Sequence, residues 1–162
     1  MFVCERAPTV RGMTTNALCD PQTEIDVRGP RFGASITTIV LALALVTVGS
    51  TLGLVLVAWQ TVAFALGAFV GLKAQPYGVL FRAVIQPRLA PPSSFEAAAP
   101  PRFAQLVGFL FAAVALVSLL FGVPALATIA LAFALAAAFL NAAFGFCLGC
   151  QMYLLGRRLV VR

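Results

Sequence analysis

Two long uncharged stretches restrict the fold of this chain more than any other feature of its sequence. They cover residues 33–72 (40 residues) and 103–156 (54 residues), and neither contains Asp, Glu, Lys, Arg or His. An α-helix rises about 1.5 Å per residue and the hydrocarbon core of a bilayer is about 30 Å thick, so one crossing takes about 20 residues. Each stretch is therefore long enough for two transmembrane helices.

The composition agrees with a chain that lies in lipid. Hydrophobic residues make up 62% of the sequence and charged residues only 10%, with a mean hydropathy of +1.03. A soluble domain is about 45–50% apolar and about 25% charged. This chain cannot cover a water-facing surface, which excludes a soluble enzyme, a disordered chain and a nucleic-acid-binding domain. We predict a single all-α membrane domain.

Glycine-containing breaks divide each uncharged stretch. Turn-forming residues interrupt the first stretch at 49–51 and the second at 122–124. The predicted spans are about 31–48, 52–72, 103–121 and 124–146. Because lipid offers no partner to bare backbone groups and both turns are short, we predict a four-helix bundle of two antiparallel transmembrane hairpins. The pattern of the fourth helix predicts continuation past Cys147 towards Arg157.

The basic residues indicate the orientation of these spans. All 11 lie in the segments 1–32, 73–102 and 157–162, which four spans place on one side of the bilayer. Basic residues collect on the cytoplasmic side, so both termini and the central loop should be cytoplasmic in a bacterial inner (plasma) membrane. An odd number of spans would divide the charges between the two sides.

The segments outside the spans complete the predicted organisation. We divide the chain into an N-terminal arm (1–30), a transmembrane domain (31–158) with a cytoplasmic loop (73–102), and a tail (159–162). The arm lacks the apolar segment of a cleavable signal, and Met13 is an alternative start. Residues 77–89 mix apolar side chains with arginine, which predicts an amphipathic surface helix or, alternatively, a helix that docks a partner.

Few residues can carry chemistry. The absence of histidine removes imidazole metal sites and the Ser-His-Asp triad, and no carboxylate lies in a predicted span to relay protons. Cys147 and Cys150 are the outstanding exception. On a continuous helix they would share one face with Cβ atoms about 5–6 Å apart, and the C-x-x-C spacing lowers the thiol pKa in redox proteins. We take both as candidate catalytic residues.

Other interpretations of this region stay open. Buried cysteines also pack as small hydrophobic residues, and a tetrahedral metal site would need Cys4 and Cys19 as further ligands. Gly145 and Gly149 form a G-x-x-x-G pattern that permits close approach of another helix, and Asn141 is expected to hydrogen-bond across the bundle. No cofactor and no metal site are predicted from these residues.

Three motifs resemble a known bacterial family. They are the C-terminal element AAFGFCLGCQMY (142–153), the element PRFAQ (101–105) and the opening IDVRGPRF (25–32). Together they resemble the membrane proteins grouped as domain of unknown function 4395, over about residues 25–158, with distant similarity to DoxX-type proteins. The resemblance implies a small four-helix membrane protein with a cysteine pair near its C-terminus. It implies no established activity, and it suggests thioredoxin-like or sulfurtransferase proteins as partners.

The functional prediction follows from the cysteine pair. We expect a small membrane protein of thiol–disulfide or sulfur-handling function, with Cys147 and Cys150 at the cytoplasmic face. A cytosolic setting should keep the pair mostly reduced. The alternative is a non-enzymatic membrane scaffold or small-solute transporter, in which the pair packs or binds a metal. The predicted partners are the lipid bilayer and a thioredoxin-like or sulfurtransferase protein, without nucleic acid.

The charge distribution generates a topology prediction. A reporter fused after Arg162 and a second one inserted near Ser94 should both give a cytoplasmic signal, because every basic segment should remain on that side. Paired alkaline phosphatase and fluorescent-protein fusions would measure this. A periplasmic signal at either point would contradict the four-span arrangement.

Overall fold

The chain folds almost entirely into helices, as predicted. The computed structural model describes residues 24–90 and 95–160. Two three-residue strands, β1 and β2, form the small antiparallel ladder Glu24–Asp26 with Phe95–Ala97. The α-helices are α1 (Arg28–Val46), α2 (Thr51–Ala65), α3 (Pro76–Leu80), α4 (Ala99–Leu120), α5 (Pro124–Phe144) and α6 (Leu148–Val160). A π-helical turn extends α2 through Leu66–Val70, and α3 continues through Phe81–Ile85 (π) and Gln86–Arg88 (3₁₀).

Four helices are long and apolar enough to cross a membrane. They are α1, α2 with its π-helical turn (Thr51–Val70), α4 and α5. The turns between consecutive members contain Gly49 at φ 86° and Gly122 at φ 71°, in the left-handed region that favours glycine. Ser50 begins α2 by accepting a hydrogen bond from the Gly53 amide at 3.1 Å. These turns coincide with the two breaks predicted from the sequence.

The four long helices pack in the order α1, α2, α4, α5 around one core. Helix α1 contacts α2 and α5, and α4 contacts the same two helices. Alanine contributes most of the buried core positions, which lets the helix backbones approach closely. The core consists of Leu41, Ala44, Val57, Ala115, Ala127, Ala130, Leu131 and Ala134. Large apolar side chains point outwards on all four helices, as lipid-facing residues would.

The central segment packs against α1 more deeply than predicted. The side chains of Tyr77 and Phe81 are buried, so neither faces a headgroup layer as a surface helix would require. Gly33 and Gly29 of α1 make room for them: a Cβ on Gly33 would lie 3.8 Å from Tyr77 Cβ, and one on Gly29 would lie 3.5 Å from the Phe81 ring. The two glycines and the two aromatic residues have the same four-residue spacing, so the helices interlock.

A buried polar cluster connects the central segment to the middle of α2. The Tyr77 hydroxyl accepts a hydrogen bond from Trp59 Nε1 at 3.1 Å and donates one to Gln60 Oε1 at 2.8 Å. Gln60 is fully buried. Burial raises the pKa of the Tyr77 phenol, and the hydrogen bond from Trp59 lowers it in part. Tyr77 is therefore a structural link between the central segment and α2.

A second set of contacts joins the end of α2 to the start of α4. Gln75 Nε2 donates a hydrogen bond to Gln105 Oε1 at 3.0 Å, and Gly67 leaves the space that Gln105 occupies. Arg102 donates to the carbonyl oxygens of Ala68 and Phe69, which are the last acceptors of α2. A charged side chain thus closes the helix end at the basic end of the bundle.

The polar cluster generates a stability prediction. Tyr77→Phe should lower the free energy of unfolding by about 1–3 kcal/mol, because the Gln60 carbonyl oxygen and the Trp59 indole N–H would both lose a buried partner. Thermal unfolding in detergent, followed by circular dichroism, measures the change. Tyr153→Phe is the matched control, since the Tyr153 ring packs on Phe103 and should retain that contact. Equal melting temperatures for the two variants would contradict the role of the cluster.

Candidate functional site

The predicted continuous fourth helix is interrupted just before the cysteines. Helix α5 ends at Phe144 because Gly145 adopts a left-handed conformation with φ 66°. The Gly145 amide donates to the Asn141 carbonyl at 3.0 Å, and the Phe146 amide donates to the Leu140 carbonyl at 3.3 Å. This glycine-terminated hydrogen-bond pattern satisfies the last carbonyl groups of the helix. The prediction that one helix runs through Cys147 was therefore wrong.

Cys147 begins the next helix. Its carbonyl oxygen accepts the Gln151 amide at 3.1 Å, and its Sγ accepts the Cys150 amide at 3.3 Å. The sulfur therefore occupies the position of an N-cap side chain at the start of α6, where the backbone amides are otherwise without partners. A helix N-terminus carries a partial positive charge, and a cysteine there is more acidic than a free cysteine.

The two cysteine sulfurs form a disulfide in the structure. The Cα atoms of Cys147 and Cys150 are 5.2 Å apart, within the range that disulfides require. Both residues are partly exposed, and Phe146 and Leu148 on either side of Cys147 are 46% and 38% exposed. The two cysteines are thus partly exposed and are not members of the core between the four long helices. The expectation that a cytosolic setting keeps the pair mostly reduced stays a prediction.

Helix α6 folds back onto the start of α4. A Cβ on Gly149 would lie 2.6 Å from Ala104 Cα, so only glycine permits this crossing. The rings of Phe103 and Tyr153 pack at 5.8 Å one turn further along α6. The predicted helix contact is therefore present at Gly149. Gly145 has a different role, because it forms the turn and lies beside the Arg31 side chain. A Cβ placed on Gly145 would lie 3.7 Å from Arg31 Nε.

The remaining predicted site residues do not join the cysteine pair. Asn141 is partly buried on α5, and its side chain makes no hydrogen bond to another residue of the described ranges. Cys4 and Cys19 lie outside the described residues. Within residues 24–90 and 95–160, no three side chains of His, Cys, Asp or Glu lie close enough together to hold a metal ion. Of the residues that the sequence did not single out, Arg31 lies at this junction.

The α6–α4 crossing generates a packing prediction. Gly149→Leu should reduce stability by about 1–3 kcal/mol, because its side chain would meet the backbone of Ala104 and displace α6. Gly156→Leu is the matched control, since a Cβ at Gly156 meets nothing within 4 Å. Thermal unfolding of both variants in the same detergent compares them. A Gly149→Leu protein as stable as the Gly156→Leu protein would contradict this crossing.

The comparisons with known proteins agree with the resemblance seen in the sequence at the level of the family. Neither the curated proteins nor the solved structures gave a match, and no similarity to DoxX-type proteins was found. A family model described as Domain of unknown function (DUF4395) matches residues 25–158, which include the four long helices and the cysteine pair. The match covers most of the chain. The protein therefore belongs to the DUF4395 family.

Proposed function

We propose that this protein is a membrane thiol–disulfide exchange component in which Cys147 is the nucleophile and Cys150 the resolving cysteine. The observation that carries the proposal is the disulfide at the start of α6, where Cys147 Sγ accepts the Cys150 amide. Of the two sulfurs, the one at the helix start gains more from the amides and from the partial positive charge there. The more acidic thiol is the better nucleophile near neutral pH.

The exchange needs no group other than the two cysteines and a partner. In the reduced protein, the Cys147 thiolate attacks one sulfur of a partner disulfide, forms a mixed disulfide and releases the other partner sulfur as a thiolate. The Cys150 thiolate then attacks Cys147 Sγ, which releases the second partner thiolate and restores the Cys147–Cys150 disulfide. Two electrons pass from the pair to the partner, and the reverse sequence reduces the pair.

A purely structural role for the disulfide explains little of its position. The bond closes a loop of only four residues, which corresponds to about 2 kcal/mol in the chain-entropy description. Cys147 immediately precedes α6 and Cys150 lies in its first turn, so the bond joins no two separate elements. The contact of α6 with α4 depends instead on Gly149 and Tyr153. A bond that constrains so little and joins two partly exposed residues is better suited to exchange than to stabilisation.

The same proposal includes a membrane arrangement. The four long helices form two antiparallel hairpins in a bacterial inner membrane, with both termini and the segment between α2 and α4 in the cytoplasm. Two features support it: the turns at Gly49 and Gly122 are uncharged, and Arg31 and Arg102 lie at the opposite ends of their helices. Cys147 follows the end of α5, so the pair would meet cytoplasmic partners at the membrane surface.

The proposed partner is a soluble protein that carries a disulfide or a persulfide. A thioredoxin-like protein or a sulfurtransferase has this chemistry. The partly exposed apolar residues Phe146 and Leu148 on either side of Cys147 offer a contact surface for such a protein. This surface is small, which suits the transient encounters of exchange partners.

The mechanism generates an asymmetric trapping prediction. In a background with Cys4 and Cys19 changed to serine, Cys150→Ser should accumulate a mixed disulfide with its partner, because the resolving thiol is missing. Cys147→Ser is the matched control and should trap several-fold less, because its remaining thiol lacks the position at the helix start. Non-reducing gels of membranes, followed by mass spectrometry, measure both.

Two results would contradict the proposal. One is equal trapping by the two single variants, which would remove the distinction between nucleophile and resolving cysteine. The other is that neither cysteine reacts with maleimide in reduced, undenatured membranes although both react after denaturation. The pair would then be a packing feature, as in the alternative of a scaffold or small-solute transporter.

A further inference from the structure

We infer that Arg31 is a specificity-determining residue that directs Cys147 towards negatively charged disulfides. The inference rests on the proposed function and names the substrate class of the same site. It is carried by the position of the Arg31 guanidinium beside Gly145, at the junction from which α6 starts. A cation at this place acts on both the attacking sulfur and an approaching anion.

Two helix ends of opposite sign meet next to Cys147. Helix α5 ends at Phe144 and presents the negative end of its dipole, whereas α6 begins at Leu148 and presents the positive end. The negative end alone would disfavour a thiolate at Cys147 and repel an anionic substrate. Without a further charge, the positive end of α6 would have to overcome this effect by itself. The partial charges of the two helix ends are of similar size, so they would largely cancel.

Arg31 lies where it offsets the unfavourable helix end. A Cβ on Gly145 would be 3.7 Å from Arg31 Nε and 3.8 Å from Arg31 Cζ, so the guanidinium lies beside the residue that ends α5. Gly145 is two residues before Cys147, a separation of at most about 7 Å between Cα atoms. With a Debye length of about 8 Å at physiological ionic strength, the effect of this charge on the start of α6 should depend on the salt concentration.

Among the described side chains, Arg31 is the cation within 4 Å of the Cβ position of Gly145. On α4, Arg102 is turned towards the end of α2. On α6, Arg158 follows Cys147 by 11 residues, about 16 Å along a helix, and the Tyr153 ring packs on α4. Helices α1, α4, α5 and α6 contain no acidic residue in the sequence. The junction therefore has positive charge and no carboxylate on these helices to offset it.

The charge should select among disulfides that are otherwise alike. The Cys147 thiolate attacks one sulfur of R–S–S–R. A bond forms between Cys147 Sγ and that sulfur, the S–S bond of the probe breaks, and RS⁻ leaves. When R carries a negative group, Arg31 attracts the reactant and stabilises the departing thiolate. When R carries a positive group, the same charge repels the reactant. When R is neutral, Arg31 affects the rate only through its effect on Cys147 Sγ.

The experiment compares three disulfide probes on the reduced full-length protein in nonionic detergent, in the background without Cys4 and Cys19. The probes are dianionic dithiobis(nitrobenzoate), neutral hydroxyethyl disulfide and dicationic cystamine. Arg31→Gln should lower the ratio of the anionic to the cationic rate about fivefold or more at low salt. Arg31→Lys should retain most of the ratio, and high salt should bring the wild-type ratio towards that of Arg31→Gln.

Arg158→Gln is the matched control, because it removes one positive charge from the far end of α6. The inference is overturned if Arg31→Gln leaves the ratio unchanged, or if Arg158→Gln lowers it equally. Either result leaves the proposed exchange function intact, because the cysteines still react. If Cys147 reacts with none of the three probes in the folded wild-type protein, the exchange function fails and the inference fails with it.

Discussion

Backbone hydrogen bonding within long apolar segments is the constraint on which the structure of this protein depends. Neither uncharged stretch offers polar side chains enough to replace water, so the backbone satisfies its own groups in α1, α2, α4 and α5. The formation of helices does not by itself produce close packing between them. The alanine-rich core, with Ala44, Ala115 and Ala127 fully or almost fully buried, provides the close packing that holds the four helices together.

Polar contacts and glycine turns then determine the structure at the two ends of the bundle. At one end, glycine turns close the connections with few polar side chains. At the other end, Arg102 caps α2, Arg31 lies at the end of α5, and Tyr77 holds the central segment between Trp59 and Gln60. These long-range contacts fix the segments outside the long helices.

Membership of the DUF4395 family gives the chain relatives but no activity, so its chemistry has to be argued from the junction itself. The relevant feature is the position of the two cysteines at the start of a helix, which their spacing alone did not establish. A C-x-x-C segment within a continuous helix would have its backbone amides already bonded. At the start of α6, the Cys150 amide instead donates to Cys147 Sγ.

The helical class, the two glycine turns, the number of long apolar helices and the choice of the cysteine pair as the candidate site could all be predicted from the residues alone. These follow from local properties: the length of the apolar runs, the preference of glycine for left-handed turns and the lack of other reactive side chains. The remaining features depend on contacts between segments that are distant in the chain. In the sequence, Gly145 is compatible both with a helix-packing glycine and with a helix end. The packing of α6 on Ala104 requires the turn, so the tertiary contact distinguishes the two. Likewise Tyr77, Gln60 and Arg31 acquire their roles from partners distant in sequence, because a hydrogen bond or a charge acts across space and not along the chain.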